Sequence, residues 1–553
     1  MGLGVLEDHK LEHVPGTAPL NELGREDYNA TGVDSGFLKH DPTGTIVLVP
    51  QPSDSPNDPL NWPRAKKEKF TVAFAWGCGA VGAVGPLVGA AFVQLAQEFD
   101  VSLSTFVQGV QGGVIVSIAL GSLLGNSLAV KYGKRPVYLV SSIGLMATCF
   151  WCAEAKSFAS LVAARVIQGI CMAPMEALVP SSIGDIWFVH ERGFRNAIFN
   201  LGILGGINLA QPIAGFVIEY GSYRICFHAM GGAFAIQTLL TFFWMPETAY
   251  HRTNAVNLDL GGNSVATEIA MTHKMDAEHI EEKTGSNNNE QPQGQSTTSE
   301  PPHSWKTDMK FYSGYVNKVS FWDTLFRPFW LLGSPAVLWA TLLFTTCISW
   351  LVGISVTLSQ IFSAPPYNFS ITSVGLTNLS SFVASLLGTA IAGPLIDGVV
   401  RKMSKKNGGI FEPEFRLPIM VSYLLFTVTG FYAWGQAAEA QDPWPVAVIV
   451  GLGFINFGIQ LGTTGIVTYV IDCHRDKAGE AFATINFVKN LFAFGLTQYL
   501  NNWIATAGVR NVFFTIGGLT AGVSLLTIPM YIYGKRARSW AYRHNVAGKA
   551  VVH

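Results

Sequence analysis

Charged residues are scarce in this sequence. Asp, Glu, Lys and Arg together make up 13% of its 553 residues, whereas soluble domains carry about 25%. A soluble protein of this length would lack the polar surface that it needs, so the composition excludes a soluble enzyme, a secreted disulfide scaffold and a disordered protein. Hydrophobic residues account for 49% of the chain, which leaves a membrane protein that crosses the bilayer several times.

Signatures of other functions are missing too. The 36 Lys and Arg residues are balanced by 37 Asp and Glu residues, so no basic excess points to nucleic acid. The sequence contains no HExxH zinc motif, no phosphate-binding loop and no nucleophile elbow, and its 12 histidines are scattered. We therefore expect no enzyme activity, no metal and no cofactor. Without an ATP-binding motif, an ion gradient is the remaining source of energy.

Long apolar runs, by contrast, are abundant. A helix needs about 20 apolar residues to cross a bilayer, and an open sheet cannot satisfy its backbone in lipid. The sequence therefore predicts an all-α membrane protein with twelve transmembrane helices. The predicted spans cover roughly 70–92, 105–128, 136–155, 159–182, 197–218, 223–245, 332–360, 372–396, 417–437, 444–470, 478–500 and 511–533.

Positive charge is distributed unevenly between the two sides of the predicted spans. If the N-terminus is inside, the loops on that side hold 20 Lys and Arg residues and the opposite loops hold three. The positive-inside rule then predicts that both termini are cytoplasmic. Asn368 lies in an Asn-Phe-Ser sequon within a predicted exterior loop, so it is a candidate for glycosylation.

A polar segment divides the twelve spans into six and six. It contains GSNNNEQPQGQSTTSEPPHS, a low-complexity stretch that cannot bury enough apolar area to fold. The predicted organisation is a mostly disordered cytoplasmic tail (1–69), a six-helix bundle (70–246), a largely disordered cytoplasmic linker (247–331), a second six-helix bundle (332–533) and a cytoplasmic tail (534–553).

The loop after the second predicted span resembles the loop signature of the major facilitator superfamily. The stretch NSLAVKYGKRPVYL covers residues 126–139. It departs from the family pattern at Asn126, which stands at a glycine, and at Val130, which stands at an aspartate. Its matches are Leu128, Lys131, Gly133, Lys134 and Arg135.

Further stretches carry the same resemblance. The fourth predicted span contains LVAARVIQGI, which fits the family pattern at Arg165 and Gln168, and the sixth ends in the family's Pro-Glu-Thr. The fifth contains GGINLAQPIAG, a partial antiporter signature that includes Gly206, Pro212 and Gly215 but has glutamine at a family glycine. GDIWFVHERG and YVIDCHRDKAGEAFATINFVKN look like parts of fungal drug:proton antiporter-type members. The resemblance covers about 70–533 and implies a proton-linked carrier of the cell membrane, two bundles that alternate access to a small-molecule substrate, and a monomer.

The fourth predicted span carries charges where charge is expensive. Arg165, Gln168 and Glu176 lie on one helix face, but the eleven residues between Arg165 and Glu176 rise about 16 Å, so the two charges line one stripe at two depths. We hypothesise that Glu176 takes up a proton or a cationic substrate and that Arg165 tunes it. The alternative is a structural link between neighbouring helices.

The eleventh predicted span carries Asn486, Lys489 and Asn490 at helical spacing. A lysine halfway along an apolar helix either faces a cavity, pairs across a helix interface or extends to the membrane surface. We count these three residues with the fourth-span face as candidates for the substrate and proton pathway.

Three aspartates lie at predicted cytoplasmic helix ends: Asp185, Asp397 and Asp472. We expect them to bridge to the basic loops and to hold the inward gate shut. Asp397, in GPLIDG, repeats the loop signature in the second half, whereas the first half has Val130. The sequence therefore predicts a gate whose charges lie mainly in the second bundle.

The leading functional prediction is proton-coupled efflux of small organic compounds, such as drugs, toxins or secondary metabolites. An uptake carrier for a cation, a polyamine or a nutrient is the first alternative, because Glu176 suits a cationic substrate. A membrane sensor that does not transport is the second alternative.

Overall fold

A computed structural model describes residues 3–11, 14–19, 39, 48, 50, 52–250, 305–312, 314, 320–363, 365, 367–544 and 546. Helices dominate these residues. The only strands in the described part of the chain are short, and Ala18–Pro19 pairs antiparallel with Ile410–Phe411.

Twelve long helices in the described residues correspond one to one to the predicted spans, and we number them spans 1 to 12. In chain order they are Arg64–Val84, Gly113–Tyr132, Lys134–Glu154, Phe158–Ile186, Val189–Tyr220, Tyr223–Trp244, Pro335–Ser363, Ile371–Lys406, Met420–Ala440, Phe454–Cys473, Ala478–Ala507 and Val509–Leu525. Shorter helical segments flank them: Pro59–Asn61, Gly89–Ala91, Phe92–Glu98, Leu103–Val107, Gln108–Gly112, Trp305–Asp308, Phe321–Leu331, Pro413–Ile419, Val446–Gly453, Arg475–Lys477 and Thr527–Arg543.

Span 11 differs from the others in polarity. In the described chain, eleven helices are long and apolar enough to cross a membrane, and span 11 is not among them despite its 30 residues. Asn486, Lys489 and Asn490 lower its hydropathy, and all three are buried. Protein contacts rather than lipid therefore enclose the polar side of this helix.

Local sequence explains where several spans begin and end. On one side of the membrane, serine side chains accept a hydrogen bond from a backbone N–H in the first turn of three spans, at Ser157, Ser222 and Ser370. Such caps stabilise a helix by about 1 kcal/mol. Span 1 ends at Val84, two residues before Pro86, because proline has no backbone N–H to continue the helical hydrogen-bond ladder.

Each half of the chain buries its own hydrophobic core. One core runs from Trp62 to Met245 within spans 1 to 6 and their flanks. The other runs from Leu331 to Met530 within spans 7 to 12 and also takes in Val5 of the N-terminal tail and Val189 and Leu204 of span 5. The predicted all-α membrane fold with two six-helix bundles is confirmed.

The first and last described segments of the chain, residues 3–11 and the helix Thr527–Arg543, lie on the same face of the molecule, which we call the tail face; the opposite side is the loop face. Leu6 donates its backbone N–H to the Ile532 carbonyl at 2.9 Å, and Lys535 Nζ lies 2.6 Å from a carboxylate oxygen of Glu7. Residues 3–11 and 14–19 thus pack on the second bundle, within a tail expected to be mostly disordered. Most of the predicted linker lies outside the described residues. Of its described part, residues 305–312 contact the first bundle, where Asp308 pairs with Lys66 at 2.6 Å.

The bundles meet along two seams. In the first seam, span 5 packs against spans 8 and 10. In the second seam, span 11 packs against spans 2 and 4. Any site that both bundles share is therefore built from these six helices and from the ends of their neighbours.

Candidate functional site

An ion pair crosses the second seam deep inside the molecule. Lys489 Nζ of span 11 lies 2.7 Å from Glu176 Oε2 of span 4, and the two side chains are only 7% and 13% exposed. Each residue lies ten or eleven positions from the tail-face end of its helix, which is about 15–17 Å at 1.5 Å per residue. The structure thus pairs two of the predicted site residues near the middle of the membrane.

The energetics of this pair depend on its completeness. Burying two charges costs several kcal/mol per ion, and good geometry offsets that cost, whereas loss of one partner leaves an uncompensated buried charge. Protonation of Glu176, or a cation that competes with Lys489, would therefore change the contact between the two bundles. This is the chemistry that a coupled carrier needs.

Unpaired polar atoms lie on span 11 and in the helical segment before span 2. Asn486 and Asn490 of span 11 are buried. Among the described residues, Asn490 Nδ2 and Gln111 Oε1, the latter in Gln108–Gly112, have no hydrogen-bond partner. Buried amides without partners are uncommon in folded proteins, so these atoms are candidates to bind substrate.

Arg165 is fully buried, and its side chain bonds to span 1 and to Gln168. Its guanidinium donates to the carbonyls of Val84 at 2.9 Å and Gly85 at 2.6 Å, and to Gln168 Oε1 at 2.6 Å. These carbonyls end span 1, where the helix dipole is negative and a cation is stabilising. Arg165 therefore supports the break in span 1, and its predicted influence on Glu176 stays a prediction.

A row of neutral amides fills the middle of the first seam. Asn208 of span 5 donates to Asn456 Oδ1 at 3.0 Å and to Ser385 Oγ at 3.3 Å. Closer to the loop face, Asn378 donates to Gln211 Oε1 at 2.9 Å. Hydrogen bonds of this kind between membrane helices average about 0.6 kcal/mol, so this part of the seam can separate at low cost.

Charges occupy the tail-face end of the first seam. Asp472 of span 10 lies 3.3 Å from Arg192 Nη1 of span 5 and also contacts Arg416 Nε. Arg416 Nη1 is 3.5 Å from Asp397. A Cβ at Gly193 would collide with both carboxylate oxygens of Asp397, so Asp397 lies against the first turn of span 5, where the helix dipole favours an anion. We call these four charged residues the tail-face cluster.

The predicted loop motif of the first bundle forms contacts within that bundle. Lys134 Nζ lies 2.6 Å from Asp185 Oδ2, and Glu247 accepts the backbone N–H groups of Lys134 and Arg135 at 3.0 Å each. Gly133 has φ of +94°, which a glycine adopts without strain. Lys131 lies 5.8 Å from the centre of the Tyr132 ring.

At the tail-face end of the second seam, an amide takes the place of a carboxylate. A Cβ at Gly479, in the first turn of span 11, would lie 2.8 Å from Asn126 Oδ1. This contact mirrors that of Asp397 with Gly193 in the other seam. Asn126 is one of the two departures from the family loop pattern, where it stands at a glycine. The predicted excess of gate charge in the second bundle depends on the other departure, Val130, and stays a prediction.

The span-5 motif residues lie at helix contacts. A Cβ at Gly206 would collide with the carbonyl of Gly79 in span 1, and a Cβ at Gly215 would press on the carbonyl of Ile371 at the start of span 8. Pro212 lies within the helix, between these two contacts. Span 5 thus approaches both its own bundle and the opposite one closely.

Two titratable groups outside the spans show how the tail face is charged. Burial tends to raise the pKa of Glu412, but Arg538 and Lys535 together hold it below its usual value. Burial, followed by Lys477 and Arg538, lowers the pKa of His474 to about 4. At neutral pH Glu412 is therefore ionised and His474 is neutral.

The predicted glycosylation site is accessible on the loop face. Asn368 is exposed, in the connection between spans 7 and 8, with φ of +47°. Ser370 of the same sequon caps span 8. Modification of Asn368 stays a prediction.

Residue-by-residue reasoning missed several partners. Arg192 and Arg416 were counted only as positive loop charges, although they contact Asp472 across and within the bundles. Arg192 lies in GDIWFVHERG and Arg416 in NGGIFEPEFRL, and both stretches look like parts of fungal antiporter-type members, which is the signal that could have found them. Asn208 and Gln211 lie in the partial antiporter signature GGINLAQPIAG, but an amide in an apolar helix does not by itself indicate a contact between the bundles, because amides commonly hold helices together.

Comparisons with known proteins agree with the fold. The Major Facilitator Superfamily model matches residues 69–497. Protein HOL1 of Saccharomyces cerevisiae is 25% identical over 97% of each chain, and the probable efflux pump mfs2 of Aspergillus flavus is 22% identical over 78% of this chain and 93% of its own. The proton:xylose symporter XylE of E. coli, bound to 6-bromo-6-deoxy-D-glucose, has a similar fold with a TM-score of 0.59 at 13% identity, covering 85% of this chain and 97% of XylE.

Proposed function

Because the chain belongs to the major facilitator superfamily, we propose that it is a proton-coupled carrier that exports small organic compounds by alternating access. Its family makes it a multi-pass membrane transporter for a small-molecule substrate and not an enzyme. Proton coupling, the direction of transport and a monomeric state are parts of the proposal.

The Glu176–Lys489 pair is the observation that carries the proposal. A proton on Glu176 Oε2 removes its charge and so weakens the hold of span 4 on span 11. A substrate that takes the place of Lys489, or of the proton on Glu176, also weakens the hold of span 4 on span 11. It does so when the carrier is open to the other side of the membrane. Competition between proton and substrate at one carboxylate links their movements without any ATP.

Export is favoured by the partial antiporter signature in span 5 and by likeness to a probable efflux pump. An uptake carrier for a cationic or nutrient solute is the second candidate, because a buried carboxylate suits a cation and the fold resembles a proton:xylose symporter. A sensor that does not transport is the third. We propose that the tail face is cytoplasmic and that the carrier works in the plasma membrane.

The test uses the full chain in vesicles with an imposed pH gradient and a panel of labelled organic compounds, cations and sugars. We expect one class of compound to move against its gradient only when protons move the other way. Movement of substrate and protons in the same direction would support uptake instead. A panel with no proton-dependent flux of any compound would favour the sensor and overturn the proposal.

Two measurements address placement. Membrane-impermeant maleimide should label an engineered cysteine at Lys406, on the tail face, only after the cell is permeabilised. Treatment with an endoglycosidase should shift the electrophoretic mobility of the wild-type protein and not that of Asn368→Gln, if Asn368 lies outside and is modified.

A further inference from the structure

The helix Phe321–Leu331 lies before span 7 and has no role in the mechanism above; we call it the interfacial helix. It has 11 residues, and only residues 332–334 separate it from span 7. Its height along the membrane normal is therefore fixed by the tail-face end of that span.

One face of the interfacial helix packs on the protein. Thr324, Pro328 and Leu331 are buried. Thr484 Oγ1 of span 11 donates to the Pro328 carbonyl at 2.6 Å, and Arg327 lies 3.2 Å from Glu480 of the same span. These contacts hold the helix firmly against span 11.

The helix also reaches across the second seam. Besides span 11, it packs against span 2 of the opposite bundle. This is the seam in which Asn126 stands opposite Gly479, where the first seam has a carboxylate. A covering helix that touches both bundles can hold this end of the seam together without an ion pair between the two bundles.

The other face of the interfacial helix is aromatic and uncovered. Trp322, Phe326 and Trp330 follow one another at four-residue spacing and are 65%, 56% and 70% exposed. Four residues are slightly more than one helical turn, so the three rings form a single stripe. A stripe of this kind on a soluble surface would favour association, whereas at a membrane surface it matches the aromatic belt.

The depth of the stripe identifies its partner as lipid. Phe329 packs edge to face on Phe487, with ring centres 5.3 Å apart, and Phe487 lies nine residues into span 11, about 13 Å from its tail-face end. On the neighbouring spans, Leu338 and Leu491 are 46% and 48% exposed. Spans 7 and 11, beside the interfacial helix, thus also expose apolar side chains.

We propose that the interfacial helix lies in the headgroup region of the tail-face leaflet and that its contact with lipid keeps spans 2 and 11 together at that face. When the bundles open at the tail face, the helix moves with span 11, to which its hydrogen bond and ion pair hold it. It then loses its contacts with span 2, and its aromatic stripe is displaced from its depth in the headgroup region. The bilayer thereby favours the conformation that is closed at the tail face. This inference is independent of the direction of transport and of the coupling ion.

The position in lipid is tested with spin labels on the full chain in phosphatidylcholine nanodiscs. Phe326→Cys and Trp330→Cys carry the label, Leu425→Cys is the lipid-facing control and Lys406→Cys the water-facing control; Leu425 is 62% exposed and Lys406 is also exposed. We expect the ratio of oxygen to nickel-chelate accessibility at 326 and 330 to match that at 425. A ratio that matches 406, or labels that neither reagent reaches because protein covers them, would overturn the proposal.

The effect on the seam is tested with a disulfide between Ser122→Cys and Ala483→Cys. Ser122 Oγ donates to the Ala483 carbonyl at 3.3 Å across the second seam, so the bond reports closure. In nanodiscs, Trp322→Ser with Trp330→Ser should lower the yield about threefold, and Trp322→Phe with Trp330→Phe should restore it, since phenylalanine also partitions into the interface. Equal yields in all three proteins, each shown to be folded by its elution profile, would contradict the role of lipid in closure.

Discussion

The two seams hold their charged residues at different depths, one at its tail-face end and the other in its middle. The first seam has amides in its middle and charges at its tail-face end, where Asp397 and Asp472 meet arginines. The second seam has an ion pair in its middle, Glu176 with Lys489, and an amide, Asn126, at its tail-face end.

This difference assigns different tasks to the two seams. Charge in the middle of the membrane is costly unless it is paired, so the second seam responds to whatever neutralises or replaces one partner. The tail-face cluster is also buried, with the side chains of Arg192, Arg416 and Asp472 only 1–2% exposed, but it brings two cations into contact with two anions. Its charges therefore compensate one another, and the first seam can hold a conformation without being tied to substrate. We propose that the second seam senses cargo and that the first seam sets the balance between conformations.

The largest effect is expected from breaking the ion pair. Glu176→Gln leaves Lys489 buried without a partner, a change that costs about 3–5 kcal/mol. We expect proton-driven flux in vesicles to fall by about 100-fold or more. Measuring flux from pH 5.5 to 8 shows whether the remaining transport still depends on protons.

The matched control removes both charges. Glu176→Gln combined with Lys489→Met restores a neutral contact, so the thermal stability in detergent should recover, whereas proton coupling should not. Full coupling in the double variant would mean that the proton travels elsewhere, and the functional contrast between the seams would disappear.

The sequence predicted the members of this pair but not the pair itself. Glu176 and Lys489 attracted notice because each is a charge inside an apolar helix, where burial is expensive. The two are 313 residues apart, and no periodicity within one chain relates positions on different bundles. Arg165, on the same helix as Glu176 but at another depth, contacts the end of span 1, and its predicted influence on Glu176 stays a prediction.

The fold was more accessible to prediction than the contacts between bundles. Twelve apolar runs and a polar divider sufficed for the helices, because length and hydropathy determine a span. The N-terminal tail shows the limit of composition: a tail expected to be mostly disordered is held on the second bundle over residues 3–11 and 14–19, by ion pairs such as that of Glu7 with Lys535 and by burial of Val5. Polar contacts of this kind depend on the folded surface and leave no local pattern.

The second-largest effect is expected at the tail-face cluster. Asp397→Asn removes an anion from the first turn of span 5 and from Arg416, interactions worth about 1–2 kcal/mol together. We expect the tail-open conformation to gain population about tenfold. The readout is the alkylation rate of a cysteine at Val189, which is buried and whose carbonyl accepts from Arg416 at 3.3 Å.

The control for this prediction is Asp397→Glu, which keeps the charge and should alkylate slowly. If Asp397→Asn also alkylates at the wild-type rate, the tail-face cluster does not hold the first seam closed, and the prediction of a gate dominated by the second bundle is wrong.

A smaller effect is expected when a carboxylate is introduced at the tail-face end of the second seam, where Asn126 lies. Asn126→Asp places an anion against the first turn of span 11, where the helix dipole contributes about 0.3–1 kcal/mol. The disulfide yield between cysteines at 122 and 483 should rise by about two- to fivefold.

Asn126→Asp combined with Asp397→Asn moves the carboxylate from one seam to the other. The alkylation rate of the cysteine at 189 in this double variant should lie between those of wild type and Asp397→Asn. A double variant no slower than Asp397→Asn would show that the seams do not substitute for each other.

The smallest effect is expected in the middle of the first seam, where only amides meet. Asn208→Ala removes two hydrogen bonds, to Asn456 and Ser385, and each is worth about 0.6 kcal/mol. We therefore expect flux to change by no more than about tenfold, with its dependence on pH intact, whereas Glu176→Gln alters that dependence. Asn208→Ser, which keeps a shorter donor, should fall between alanine and wild type. A neutral amide does not titrate itself. If Asn208→Ala shifts the pH dependence of flux as strongly as Glu176→Gln does, Asn208 must support a group that titrates, and protons then also act through the first seam.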